Sequence, residues 1–350
     1  MIRERAGCDL LAVVKANAYG HGAATIVRAL EGKAALLGVA NLHEAEEIEA
    51  TKTPTPILLL GTCLPVEREA ALHDRLHICI SSLEEAAAWN ELAQTTGIIP
   101  LAHAVIDTGM GRMGFPEAEW SETTVRSLLK FQHIQWEGIA SHLPSADEDP
   151  EFTEDQIERF RLCVQTAHAT GLRPRWIQVV NSAGLLRYDS PQKFCNLARP
   201  GLAIYGISPI PEMQKLLKPV LTWKTRVLHV RELPVGHGIS YGRTTKLTRP
   251  SQVATLACGY ADGYPRQVSG KGASVLIQGQ RCPVLGRVTM DQIMVDVTDL
   301  AAKAKLGDEA LLLGTQGDAE VSVNELAQQA DTIPWHIFTG ITARVERLMK

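Results

Sequence analysis

Apolar and polar positions alternate in two different ways along this chain. From Leu10 to about Pro209, short unbroken apolar runs are separated by stretches with helical spacing. The runs are LLAVVKA, LLGVA, PILLLG, LHICIS, LAHAVID, WEGIASH, WIQVVN and LARPGLAIYG; the clearest amphipathic stretches are Leu83 to Thr95 and Thr153 to Thr170. An unbroken apolar strand is buried on both faces, the condition of a parallel sheet flanked by helices. About eight such units predict a closed α/β (TIM-like) barrel of eight parallel strands rather than an open sheet. After Pro211 the pattern changes to strands split by glycine and proline turns, as in TWKTRVLHVREL, SQVATLACGYADG, ASVLIQGQRCPVLG and EALLLGTQG. Only Val323 to Asp331 keeps helical spacing there, with Ser322 or Asn324 as its cap. The expected architecture is a barrel over residues 1–212 and a mainly β C-terminal domain over residues 213–350, joined near PIPEMQKLLKP.

Composition narrows the function classes. The 350 residues are 45% hydrophobic and 21% charged, with a formal net charge of −4 and no basic block, so no nucleic-acid groove is expected. No apolar run reaches the ~18 residues of a membrane span, and MIRERAGCDLL is too short an apolar stretch for a signal peptide. The seven cysteines form no CxxC pair, and most sit in apolar runs. They read as reduced, buried thiols of a cytoplasmic protein. The eleven histidines show no HExxH spacing, so no catalytic metal is expected.

Barrel active sites form at the C-terminal ends of the strands, and the chemically interesting residues fall there. Lys15 and Tyr19 end the first strand, Arg112 follows the fifth, His142 the sixth, Asn181 and Ser182 the seventh, and Arg199 lies in the eighth. A lysine ending a wholly apolar strand should have a lowered pKa, because desolvation disfavours the ammonium. Such a lysine is a candidate for Schiff-base chemistry, against the plain alternative of a side chain snorkelling from the barrel mouth. DTGMGRMGF contains a literal GxGxxG, but polar Asp107 and Thr108 precede the first glycine and the unit is the fifth strand. It therefore reads as a barrel loop rather than a dinucleotide site. Asn181-Ser182 opens NSAGLL, either as a simple N-cap or as a phosphate cradle with Gly201. Tyr241, in GISYGRTT, is a packing residue or a proton carrier.

AVVKANAYGHG, DTGMGRMGF, SHLPSADE, VVNSAGLL, LARPGLAIYG, SYGRTT, GYADGYPR and GRVTMDQIMVD occur in one order from Leu11 to Val297. In that order the chain resembles the alanine racemases of the barrel class that use pyridoxal 5'-phosphate. The resemblance implies racemisation of L- and D-alanine and a homodimer whose active sites are shared between subunits. Lys15 resembles the Schiff-base lysine and one racemising base. Tyr241 resembles the opposite base, supplied by the partner chain. Tyr19, Asn181, Ser182, Gly201 and Leu202 match positions that hold the phosphate, and Tyr260 another residue of the shared site. Arg199 resembles the arginine at the pyridine nitrogen, and His142 the residue that positions the tyrosine. Arg112 and Met290, with Asp291 beside them, match the groups that bind the substrate carboxylate.

Three positions depart from the resemblance. The family has a further strand and helix ahead of its lysine motif, so an apolar groove is expected to lie uncovered between the first and eighth strands. Val105 stands where a lysine, often carbamylated, braces the arginine. Ala343 stands where some members carry a tyrosine. The competing readings are a racemase of broader specificity, acting on serine or other amino acids, and a non-catalytic protein that binds the cofactor.

Overall fold

The computed structural model describes residues 1–73 and 76–349. The described residues form two compact units, one of Met1–Ala18 and Gly22–Lys218, the other of Tyr19–His21 and Pro219–Lys350.

In the first unit the strands are β1 (Asp9–Val13), β2 (Leu36–Val39), β3 (Ile57–Leu59), β4 (His77–Ile80), β5 (Leu101–Asp107), β6 (Phe115–Pro116), β7 (Gln135–Ala140), β8 (Trp176–Gln178) and β9 (Leu197–Ala198). They pair in parallel in the order β8-β7-β5-β4-β3-β2-β1-β9, with the two-residue β6 beside β5. Backbone bonds from Asn196 N to Ile177 O (3.1 Å) and from Arg199 N to Val180 O (2.8 Å) link the two ends, so the eight parallel strands form a barrel. β2, β3 and β4 are buried throughout, as their unbroken apolar runs require. The helix Pro150–Thr170 shows the complementary pattern. Its buried positions Thr153, Gln156, Ile157, Phe160, Val164 and Ala167 recur at helical spacing, and Asp149 caps its start by accepting from Phe152 N.

Two sequence expectations change here. LARPGLAIYG is a strand only at Leu197–Ala198; Pro200 has no N–H for a ladder, and Leu202–Tyr205 turns into a 3-10 helix. The expected uncovered groove is also not found, since Leu10 to Val13, Leu197 and Ala198 are all buried. A short helix, Ile2–Ala6, precedes β1, and Arg5 donates to the carbonyls of Leu185 and Leu186 at 3.2 and 3.1 Å.

The barrel interior holds an unexpected polar chain. His77 Nδ1 lies 3.1 Å from His103 Nε2, and His103 Nδ1 lies 2.8 Å from the Gln178 amide. Gly138 makes the room, because a Cβ there would lie 1.9 Å from His103 Nδ1. Burial lowers the pKa of both histidines; for His77, Glu137 opposes and Arg175 adds to the effect. The unfolded histidines gain protons from about pH 6.5 downward, and the folded ones only at lower pH, so stability must fall as the pH drops below that point. Each such histidine contributes a slope of up to ~1.4 kcal/mol per pH unit. Urea unfolding between pH 7.5 and 5 should show this loss, and His103→Gln should remove about one proton's share of the slope. An unchanged slope would mean that His103 is protonated in the fold.

The second unit is antiparallel. Its strands are β10 (Trp223–Leu233), β11 (Gly238–Ile239), β12 (Thr245–Lys246), β13 (Ser251–Leu256), β14 (Ser274–Ile277), β15 (Gln280–Leu285), β16 (Ile293–Asp296), β17 (Glu309–Gln316) and β18 (Ala319–Val321). They run in the order β10-β13-β16-β15-β14-β17-β18. The long β10 pairs with β13 through Val227–Leu233 and with β17 through Trp223–Arg226, which closes the sheet on itself. β14 and β15 are joined by Gln278 and Gly279, both left-handed (φ 54° and 74°), as a two-residue hairpin requires. Ser322 caps the helix Val323–Gln329, accepting from Glu325 N at 3.1 Å. A second helix, Pro334–Gly340, was not evident in the apolar spacing.

Candidate active site

β1 stops at Val13, and Lys15 lies just beyond its C-terminal end. Ala16, Asn17, Ala18 and Tyr19 follow with φ of 51–53°, a complete left-handed turn without a glycine. Left-handed conformation costs an L-residue roughly 1–2 kcal/mol, so four in succession must be held by their surroundings. Three contacts of the first unit do so. Ala18 N donates to Val14 O at 2.8 Å, Asn17 Oδ1 accepts from Ala23 N at 2.7 Å, and the Glu44 carboxylate accepts from Ala16 N at 2.8 Å. Behind the strand, the fully buried Tyr205 donates its hydroxyl to Val13 O at 2.8 Å. Tyr19 itself is buried, which pushes its phenol up to about 12. Burial and the nearby Arg112 and Arg199 lower the Lys15 pKa, while Glu44 opposes them.

At the ends of β4, β5, β7 and β9 a small cavity of about 30 Å³ brings together Cys79, Val105, Arg112, Ser141, His142 and Arg199. Arg199 donates from Nη2 to the carbonyl of Ser141 and, at 3.1 Å, to His142 Nδ1. An arginine can only donate, so His142 Nδ1 must be the acceptor and its proton sits on Nε2. Burial, with Arg199, Arg112 and Lys15 adding to it, pushes His142 down to about 3, so the ring is neutral. Burial brings Arg199 down to about 10, which still leaves it charged at neutral pH. Its Nε is buried with no hydrogen-bond partner among the described residues.

The GxGxxG segment closes on its own aspartate. Asp107 accepts backbone N–H groups from Gly109, Met110 and Gly111 at 2.8–2.9 Å. Burial opposes the ionised carboxylate, yet these donors hold its pKa below the ordinary value. A Cβ at Gly114 would lie 2.8 Å from Asp107 N, so the glycines serve this tight loop and present the exposed Arg112. Gln156, on the helix Pro150–Thr170, donates to Thr108 Oγ1 (3.1 Å) and to His142 O (2.9 Å). Thr108 Oγ1 in turn meets Ser141 Oγ at 2.7 Å, which ties the Arg112 and His142 loops together.

Asn181 is an N-cap: its Oδ1 accepts from Gly184 N (2.9 Å) and its Nδ2 donates to Leu143 O (2.8 Å). Ser182 Oγ accepts from Gly201 N and Ala203 N at 3.0 and 3.1 Å, which gathers Gly201 and Leu202 around the start of that helix. Burial pushes the Cys63, Cys79, Cys163 and Cys195 thiols up to about 12, so none is an activated nucleophile.

The remaining candidates lie in the second unit. Tyr241 is 71% exposed, on a loop where Ser240, Gly242 and Arg243 all have positive φ. Tyr260 and Met290 are held side by side, with Tyr260 N donating to Thr289 O and Ala261 N to Met290 O, both at 3.0 Å. Asp291 is engaged by Arg344 at 2.9 Å, and Arg344 also pairs with Asp262 at 3.3 Å. Thus Lys15, Arg112, His142 and Arg199 converge in one unit, while Tyr241, Tyr260, Met290 and Asp291 are carried by the other. Sequence reading missed Glu44, Ser141 and Gln156. Asn41 followed by Glu44 has capping-box spacing, and that was the one available signal.

Comparison with known proteins gives the same partition. The N-terminal domain model of alanine racemase matches residues 1–209, and the C-terminal domain model matches residues 220–349. The chain belongs to the alanine racemase family. It is 43% identical over 342 residues to an alanine racemase of Symbiobacterium thermophilum, covering 97% of this chain and 89% of that one. The alanine racemase structure from Streptomyces coelicolor superposes with a TM-score of 0.92 at 34% identity, over 99% of this chain and 93% of the other. The Bartonella henselae alanine racemase was solved with covalently bound pyridoxal phosphate, and it matches at a TM-score of 0.88 and 28% identity, over 99% and 94% of the two chains.

Proposed function

We propose that this protein interconverts L- and D-alanine with pyridoxal 5'-phosphate held on Lys15, as a cytoplasmic homodimer with shared sites. The observation that carries the reading is Lys15 itself. It is a partly buried lysine of lowered pKa at a barrel strand end, on a strained turn, within electrostatic reach of Arg112, Arg199 and His142.

The residues present fit the cofactor. Arg199 keeps an unpartnered buried Nε beside the cavity, a donor free to meet the pyridine nitrogen as the resemblance implies. Ser182 accepts two backbone N–H groups, those of Gly201 and Ala203, and so retains its own hydroxyl hydrogen for a phosphate oxygen, with the Leu202 N–H beside it as a further donor and Tyr19 matching another phosphate position by resemblance. When bound, the cofactor supplies the electron sink that makes the α-carbon acidic.

The protein's part is to take one proton from the α-carbon and return another to its opposite face, the two bases exchanging protonation states in each turnover. Lys15 Nζ acts on one face and Tyr241 Oη on the other, one taking a proton while the other gives one, because inversion at carbon needs a base on each side. His142 carries its proton on Nε2 and can donate a hydrogen bond from it to the tyrosine oxygen, which orients that base. Arg199 remains protonated, so it presents a positive donor rather than a proton to be lost. Arg112 and the backbone at Met290 hold the substrate carboxylate, with Asp291 orienting that loop through Arg344. Val105 supplies no charge to Arg112, which leaves the guanidinium free for substrate.

The test is polarimetry. Purified protein incubated with pyridoxal phosphate should bring either alanine enantiomer to the racemic mixture. Serine should react at least tenfold more slowly in kcat/KM. Comparable rates would favour the broader racemase, and a protein that binds the cofactor but leaves both enantiomers unchanged would overturn the catalytic reading.

A further inference from the structure

Glu44 lies on the helix Leu42–Glu49, which follows β2. Asn41 caps this helix, its Oδ1 accepting from Glu44 N at 3.0 Å. The Glu44 carboxylate turns back over the helix start. Its Oε2 accepts from Ala40 N at 2.7 Å, and its Oε1 accepts from Ala16 N at 2.8 Å. Ala16 is the residue directly after Lys15 and the first of the four left-handed positions.

The barrel contains its own control. After β4 the same device recurs: Ser82 Oγ accepts from Glu85 N at 3.0 Å, and Glu85 Oε2 accepts from Ser81 N at 2.8 Å. There the second oxygen, Oε1, accepts no backbone N–H among the described residues and stays on its own side, near Trp89 and Arg68. Capping a barrel helix therefore occupies one carboxylate oxygen. At Glu44 the second oxygen crosses to the neighbouring strand and reaches the lysine's turn. A hydrogen bond to an ionised acceptor is about twice as strong as a neutral one, which suits a backbone that must be held in a costly conformation. The negative charge also opposes the effect of Arg112 and Arg199 on Lys15.

We propose that Glu44 is the positioning residue of Lys15, its carboxylate fixing the left-handed turn so that Nζ is presented in one orientation to cofactor and substrate. This rests on the reading of Lys15 as the cofactor lysine. Thereafter the geometry makes distinct demands on three variants. In Glu44→Gln the amide can accept only one of the two N–H groups and has no charge. Glu44→Asp keeps the charge but is one methylene too short to reach both. Glu85→Gln disturbs the same capping device away from the lysine.

The experiment measures kcat, KM for alanine, melting temperature and the pH titration of the visible band of the cofactor-loaded enzyme. Glu44→Gln should lose roughly 10–100-fold in kcat, the scale of a misplaced reacting group, with little change in KM. Its visible band should titrate at lower pH than in the wild type. Glu44→Asp should lose less kcat and keep the wild-type titration, and it decides the matter if Glu44→Gln does not fold. Glu85→Gln should lower the melting temperature while leaving kcat and the band unchanged. Wild-type kcat and titration in Glu44→Gln, wild-type kcat in Glu44→Asp, or losses in Glu85→Gln equal to those in Glu44→Gln would overturn the proposal. Lys15→Ala is assayed in parallel. If it keeps the band, the lysine assignment itself fails; if it loses the band while the Glu44 variants behave as wild type, only the positioning role fails.

Discussion

Lys15→Ala should abolish racemisation and the visible absorbance of the bound cofactor together. General-base catalysis alone is worth ~10²–10⁴ in rate, and the covalent attachment is lost as well, so the loss should exceed ~10³-fold. The fold should survive. Lys15 is partly buried, and its charge is opposed by desolvation and by two arginines, so its removal relieves the cofactor-free protein rather than straining it. The melting temperature without cofactor should equal or exceed that of the wild type, while the increase produced by adding pyridoxal phosphate should shrink, because a ligand stabilises only as tightly as it binds. Activity within tenfold of wild type would remove Lys15 from the centre of the chemistry. Loss of activity with a lowered cofactor-free melting temperature would instead assign it a structural role.

How much of this could be read from the chain depended on whether the cause was local. β2 to β4 were legible because parallel strands buried on both faces leave unbroken apolar runs, and β5 and β7 keep enough buried apolar positions to be read the same way. The eighth strand was over-extended because the apolar character of LARPGLAIYG outlasts its ladder, which Pro200 ends. The helix Pro334–Gly340 is short and carries few apolar repeats, so periodicity did not show it. The barrel-unit candidates Lys15, Arg112, His142 and Arg199 were legible by their place after successive strands, a consequence of barrel geometry. Their supports were not. Glu44 reaches Ala16 across 28 positions and Gln156 reaches Thr108 across 48, and no local pattern encodes such contacts. The left-handed run through Ala16 and Ala18 contradicts local propensity, since alanine favours the right-handed helix. Such local conflict with the global fold is expected where a site stores strain. The buried His77–His103–Gln178 chain was hidden for another reason: its members are spread over three strands and framed by the missing side chain of Gly138.

Mixing two inactive variants should restore activity. Lys15 belongs to the first unit and Tyr241 to the second, where it stands 71% exposed on a loop of unusual backbone. A strained loop that presents an exposed tyrosine is more costly to keep than a packed one, which is the pattern of a residue that meets a partner. Tyr241→Phe keeps the ring and removes the proton carrier, so its loss should exceed ~10²-fold. The two enantiomers have equal free energy, so kcat/KM must fall by the same factor in both directions, which checks the assay internally. In a two-fold dimer with shared sites, a hybrid of Lys15→Ala and Tyr241→Phe has one site with both defects and one with neither. Random exchange of equal amounts makes about half the dimers hybrid, so about a quarter of wild-type activity should return. If each chain built its site alone, every site would keep one defect and no activity would return at any mixing ratio. Recovery near a quarter, tracking the measured fraction of hybrids, therefore decides where Tyr241 acts without any structure of the assembly.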